Sequence, residues 1–320
     1  MKFVQRLLLP ACLALLSGPG WAQSYPERPV RIIVAYPAAQ AVDVLTRYVA
    51  DELTKSTGKS FFVENHAGAG GNIGTSEAAR AQPDGYTLVM GTNGTHAMNQ
   101  FLYKSPGFDA AKDFEPVVLV GTFPMVILAK AESPLKDLRS VLALAQKDPK
   151  AADVAIPSVT ARLVLEMIQS ASKVPMFGVP YKGSAAAATD VLGGQLPLLI
   201  DTVSASQPFL SSGKMRALAV TSAKATPLLP GVRSVQEQGI GGIDVVAWDG
   251  LYAPRGTPQA IVRKVNEEVA RILARPEVRR RLAEMGFEAA GGTPAQFAEF
   301  TRAEQKRLGD LIERTGVRLD

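Results

Sequence analysis

The chain has 320 residues, 47% of them hydrophobic and 20% charged, with 28 glycines, 22 prolines, two histidines and one cysteine. This is an ordinary globular composition, long enough for two domains and free of low-complexity tracts. The net charge of +5 is too dispersed for a nucleic-acid footprint, and no apolar run beyond the N-terminus is as long as a membrane span.

Residues 1–22 read as a secretory signal. Lys2 and Arg6 give a positive start, residues 7–16 an apolar stretch interrupted by Pro10, and Gly20-Trp21-Ala22 small residues at the −3 and −1 positions. Cleavage is expected after Ala22. It removes Lys2, Arg6 and Cys12, which takes the charge from +5 to +3 and leaves no thiol for a disulfide, a nucleophile or a metal. The residual positive charge suits anionic solutes.

Residues 30–47 organise the rest. Val30-Arg31-Ile32-Ile33-Val34 is a β-branched run typical of a buried strand. Pro37 and the small residues after it break the run. From Asp43, the apolar positions Val44, Leu45, Tyr48, Val49 and Leu53 recur at helical spacing and stop near Gly58. In an open α/β sheet such a strand–loop–helix junction is where ligands bind. The free N–H groups of a first helical turn suit a carboxylate or a phosphate.

Further along, strands are predicted at 61–63, 86–90, 117–120, 125–129, 154–156, 176–179, 196–200 and 216–221. Helices are predicted at 73–81, 135–147, 159–170 and 185–192. The alternation implies an α/β fold with a mostly parallel sheet covered on both faces. Thr257-Pro258 reads as a cap followed by proline at the first helical position, and Ile261, Val262, Val265, Val269, Ile272 and Leu273 form one apolar face. A second short helix starts at Pro276 and ends at Gly286. Thr293 and Gln296 have capping-box spacing for a third, with Phe297 and Phe300 on its apolar side. Arg279-Arg280-Arg281 reads as a solvated face. The chain is expected to leave its first domain near 121–124 and return near 244–250. Domain one is then 23–122 plus 246–320, domain two 123–245, and two crossing strands form a hinge.

Few residues suit chemistry. Gly68-Ala69-Gly70-Gly71-Asn72-Ile73-Gly74 is neither a dinucleotide fingerprint nor a Walker loop and reads as part of a cleft wall. Thr92, Asn93 and Thr95 follow a strand and offer hydrogen bonds to a small polar ligand. Lys182 offers a charge to an anion, with Ser184 capping the next helix. Asp201, repulsive beside an anion, is expected to cap or bond a neighbouring loop. His66 and His96 have no acid at metal-ligand spacing and no evident orienting partner, and no G-x-S-x-G elbow is present. Neither a metal site, a cofactor nor an enzyme is expected.

Taken in order, certain segments resemble one family. They are Tyr25-Pro26-x-x-Pro29-Val30-Arg31-Ile32-Ile33-Val34, Val63-Glu64-Asn65-x-x-Gly68-Ala69-Gly70-Gly71-Asn72-Ile73-Gly74, Pro83-Asp84-Gly85-Tyr86-Thr87-Leu88 and Lys112-Asp113-Phe114-x-Pro116-Val117. Val179-Pro180-Tyr181-Lys182-Gly183, Leu192-Gly193-Gly194-Gln195 and Lys214-x-Arg216-Ala217-Leu218-Ala219-Val220-Thr221 follow. The chain is similar over residues 23–320 to the Bug (Bordetella uptake gene) receptors, periplasmic solute-binding proteins of tripartite tricarboxylate transporters. The resemblance implies a type II-like, two-lobed periplasmic-binding-protein fold with a domain-crossing cleft. It implies a periplasmic, monomeric receptor that captures a small organic acid and docks to membrane transporter subunits. A receptor presenting its ligand to a sensor, and a periplasmic isomerase or hydrolase on the same scaffold, are the alternatives. By the same resemblance the first binding loop is Tyr36, Pro37, Ala38, Ala39, Gln40, Ala41 and Asp43. Thr92, Asn93, Thr95 and His96 add to domain one, and Ser158, Thr160, Lys182, Gly183 and Asp201 form the facing wall.

Two departures stand out. The family loop Pro-Pro-Gly-Gly-x-x-Asp is here Pro37-Ala38-Ala39-Gln40-Ala41-Val42-Asp43, without its glycines, although alanine resists positive φ. The glycine-rich turn before the domain-two helix is here Ile156-Pro157-Ser158-Val159-Thr160. An unusual ligand, or loss of tight capture, is the expectation.

Overall fold

The computed structural model describes residues 25–316, 318 and 319. The signal segment, its cleavage point and Cys12 lie outside the described residues. The first half opens β1 (Val30–Val34), α1 (Ala41–Thr57), β2 (Phe61–Asn65), α2 (Asn72–Ala79), β3 (Thr87–Thr92), α3 (Asn99–Leu102) and β4 (Phe114–Lys130). The middle runs α4 (Leu138–Lys147), β5 (Val154–Ile156), α5 (Val159–Ser172), β6 (Gly178–Pro180), α6 (Ser184–Leu192), β7 (Leu198–Thr202), α7 (Val203–Ser211) and β8 (Met215–Val220). The chain ends β9 (Val246–Pro254), α8 (Gln259–Ala274), α9 (Pro276–Glu284), β10 (Glu288–Gly291) and α10 (Pro294–Thr315).

The described strands form one sheet in the order β2-β1-β3-β9-β4-β7-β5-β6, with β8 and β10 also on β4. The βα-type strands are parallel to their neighbours: β1 to β2 and β3, β5 to β6 and β7. Every antiparallel pairing involves β4 or β9, so these two strands make the sheet mixed.

The two strands expected at 117–120 and 125–129 are one strand of 17 residues. Its first part, Phe114 to Pro124, pairs with β9, and its second, from Met125, with β7 and β8. Gly121 and Pro124 suggest a break, yet Pro124 falls where β4 changes partners and register shifts absorb the irregularity before it. β10 carries no strong strand signal and appears as an addition, and β9 overlaps the stretch 244–250 expected to cross between the domains.

Burial follows the predicted faces in part. In α1, Leu45, Val49 and Leu53 are buried and the helix stops at Gly58, but Val44 is exposed and Val42 is buried in its place. In α8, Val262, Val265, Val269, Ile272 and Leu273 are buried. Thr257 does not cap this helix: its hydroxyl turns back to donate to the Pro254 carbonyl at 2.7 Å, and the helix starts after Pro258. The box on α10 forms as expected. Gln296 N donates to Thr293 Oγ1 at 3.2 Å, and Thr293 N to Gln296 Oε1 at 2.8 Å. That helix seats Phe297 against Trp248 and Tyr252 in the largest apolar cluster. Among the described residues, no helix is long and apolar enough to cross a membrane.

Candidate functional site

A cleft of about 810 Å³ lies at the carboxyl ends of the parallel strands. Tyr36 follows β1, Thr92 ends β3, Pro157 follows β5, Tyr181 follows β6, and Asp201 and Thr202 end β7; all of them line it. This is the edge of an α/β sheet where ligands bind. Helix N-termini converge on the same space. Gln40 precedes α1, Gly71 precedes α2, Ser158 precedes α5, Lys182 and Ser184 flank the start of α6, and Thr202 precedes α7. Ser158 and Thr202 cap their helices by accepting from Ala161 N and Ala205 N, both at 3.1 Å. Gln40 makes no side-chain cap, which leaves its amide for the cleft. Each uncompensated helix start carries partial positive charge, and Lys182 and Arg162 add full charges from the wall.

Of the residues expected at the site, Tyr36, Pro37, Gln40, Ala41, Thr92, Asn93, Ser158, Thr160, Lys182 and Asp201 line the cleft. Ala38, Ala39, Asp43, Thr95, His96 and Gly183 do not. Asp43 works from beneath. It is buried and accepts from Ala39 N at 2.9 Å, Arg47 Nε at 3.0 Å and Asn65 Nδ2 at 2.8 Å. Burial opposes its charge, but these donors outweigh burial and hold the carboxyl below the usual range. The clamp keeps Ala39 at φ 65, the left-handed region that alanine resists. The loop thus keeps a glycine-like path without glycine. Gly183 stands opposite: a Cβ there would lie 3.5 Å from Gln40 Nε2.

His96 is structural. Its ring stacks on Tyr252 at 4.0 Å, and Nδ1 meets Thr95 Oγ1 at 2.9 Å. Burial alone pulls its pKa down to about 3, so it is neutral. It belongs to a single π-helical turn, Gly94–Met98. His66 does have partners, contrary to expectation. Its Nδ1 lies 2.8 Å from Glu77 and its Nε2 3.5 Å from Glu64, and Arg31 bonds both acids. Arg31 and Glu64 meet because β1 and β2 run side by side, α2 brings Glu77 to them, and none of these residues lines the cleft. No cluster of three or more metal-ligating side chains occurs among the described residues.

Ser184 does not cap α6; it bonds Asp201, which also accepts from its neighbour's amide, Thr202 N, at 2.7 Å. Burial raises the Asp201 pKa to about 6 against these bonds. Asp249 and Asn99 also line the cleft and carry no recognisable sequence signal. Tyr36, whose hydroxyl pairs with Thr92 Oγ1 at 3.0 Å, is pushed up to about 12 chiefly by burial.

A helix-flanked sheet with a cleft at its strand ends, ringed by helix N-termini, defines a periplasmic-binding-protein fold. The description "Tripartite tricarboxylate transporter family receptor" matches residues 45–317, and the chain belongs to this family. It is similar to the protein BugT of Bordetella pertussis, 31% identical over 307 residues that cover 95% of this chain and 94% of that one. Among solved structures it is similar to R. palustris Rpa4515 with adipate, 33% identical with a TM-score of 0.87, covering 92% of this chain and 99% of that one. It is also similar to MatC (Rpa3494) from Rhodopseudomonas palustris with bound malate, at 32%, a TM-score of 0.81, and 90% and 100% coverage.

Proposed function

We propose that this chain is a periplasmic receptor that captures a small carboxylate in the cleft and presents it to membrane subunits of a tripartite tricarboxylate transporter. It acts as a single copy and changes no bond in its ligand. The observation that carries this reading is the convergence of helix N-termini with Lys182 and Arg162 on one open cleft. A carboxylate there accepts from backbone amides in the field of several helix starts. The adipate and malate in the two solved relatives are dicarboxylates, in keeping with it. Residues 23–122 with 246–320, and residues 123–245, act as two lobes that close over the ligand. Hydrogen bonds to a charged group contribute roughly 1.5–3 kcal/mol each. A few of them suit micromolar affinity, about −8 kcal/mol. Calorimetry against a panel of short carboxylates tests this: micromolar binding of at least one is expected, and no binding at millimolar concentration would overturn it.

A further inference from the structure

One side chain reaches across the cleft from the first half of the sheet to the second. Gln40 precedes α1, yet its amide makes no cap on that helix. The side chain lines the cleft, half-buried. Its Nε2 stands 3.5 Å from where a Cβ on Gly183 would lie. Among the described residues it is the one atom, chain neighbours aside, that such a Cβ would meet within 4 Å. Gly183 immediately precedes α6, whose first turn belongs to the other half.

The start of α6 lacks an acceptor. The first amides of a helix have no partner within the helix and take a side-chain oxygen where one is offered. Ser158 offers one to α5 and Thr202 one to α7. Gly183 has no side chain to offer, α6 has no side-chain cap, and Ser184 bonds Asp201 instead. The Gln40 amide therefore lies against a bare helix start. A carboxamide carries an acceptor at one end and two donors at the other, and a half-turn that exchanges the ends leaves its shape unchanged. With Oε1 turned to the α6 amides, Nε2 points back into the cleft. There the starts of α1 and α6 both present partial positive charge, so an anion that settles between them meets Nε2 as one more donor. The backbone at Gly183, φ 166 and ψ 170, is extended and open to any residue. Its missing side chain is thus no backbone requirement; it leaves room for the amide.

We propose that Gln40 is a specificity-determining residue shared by both halves of the cleft: Oε1 caps α6 from across the site while Nε2 donates to the ligand carboxylate. This rests on the carboxylate-receptor reading above and assigns a residue of that same site. Lys182 and Arg162 only donate. Gln40 accepts from the protein and donates to the ligand at once, so its two ends are separable by substitution.

The test combines calorimetry with succinate, malate and adipate on the full mature chain with thermal unfolding of the ligand-free chain. Gln40→Met keeps the length and removes both ends. It is expected to bind the tightest of the three acids about tenfold more weakly and to melt at a lower temperature. Gln40→Glu keeps an acceptor for α6, loses the donor and brings a negative charge toward the anion. It is expected to melt no lower than the unaltered chain while binding about thirtyfold more weakly or worse. Gly183→Ser added to Gln40→Met gives α6 a cap of its own, in the extended conformation that Ser158 adopts before α5, φ −150 and ψ 162. The pair is expected to regain the melting temperature without regaining the affinity. A merely structural role would move melting temperature and affinity together. Unchanged affinity in Gln40→Met, or melting temperature and affinity falling in step in Gln40→Glu, overturns the proposal and leaves the carboxylate reading standing. If the unaltered chain binds none of the three acids at millimolar concentration, both fail.

Discussion

Asn93 donates from Nδ2 to Thr160 Oγ1 at 3.4 Å, and the two residues stand on opposite walls of the cleft. Asn93 follows β3, and Thr160 lies in the first turn of α5, so this buried bond joins the two halves of the sheet across the cleft. Such a bond is worth about 0.5–1.5 kcal/mol net. Thr160→Val keeps the shape and removes the acceptor. We expect a carboxylate ligand to bind about 2- to 10-fold more weakly by calorimetry, and the ligand-free variant to show a larger radius of gyration in small-angle scattering. An unchanged radius and affinity would mean that the bond does not hold the walls together.

Ala39 occupies a left-handed conformation that costs an L side chain about 1–2 kcal/mol. Glycine relieves it but loses about 0.4–1 kcal/mol to the greater freedom of the unfolded chain. Ala39→Gly is therefore expected to stabilise by roughly 0.5–1 kcal/mol in urea denaturation. A loss of stability would show that the methyl group packs usefully.

Asp201 makes a pH-dependent contribution. Burial raises its pKa from 3.8 to about 6, so the folded state holds the proton more readily than the unfolded chain does. The associated stability is full below about pH 4 and is lost as pH rises through about 6, on the order of 3 kcal/mol in all. Asp201→Asn should gain on the unaltered chain over this interval. Unfolding free energies measured from pH 4 to 8 check it; parallel curves would refute the assignment.

Gly286 follows α9 at φ 84, and a Cβ there would lie 2.6 Å from Ser204 Cα and 2.7 Å from its N. Both obstacles are backbone atoms at the start of α7 and cannot rotate away. Gly286→Ala is expected to cost about 2 kcal/mol or more, from overpacking together with backbone strain. Thermal unfolding reads this directly, and a melting temperature within a degree of the unaltered chain would argue against the close approach.

Much of the site was legible in the sequence because βα junctions announce themselves locally. The run 30–34, the break at Pro37 and the helical periodicity that follows place the first loop, and the same logic places Lys182 and Asp201, whereas Ser158 comes from the family resemblance. What was not legible depends on tertiary context. Asp43 reads as a wall residue until Asn65 and Arg47 arrive from β2 and the next helical turn to bury it. Asp249-Gly250 is a turn-like dipeptide, yet it sits in mid-strand because Phe297 fills the space above Gly250 and neighbouring strands hold its backbone. Thr257 has the chemistry of a cap but spends its hydroxyl on Pro254. Local composition names what a residue is able to do, and long-range packing chooses among those options.

The unbroken β4 carries a consequence for how the chain comes apart. Its first part is zipped to β9 and β10 and its second to β7 and β8, so melting either half strips one flank of a strand the other half needs. The two halves should therefore denature together, as one calorimetric event, and neither should survive excision as an autonomous fragment.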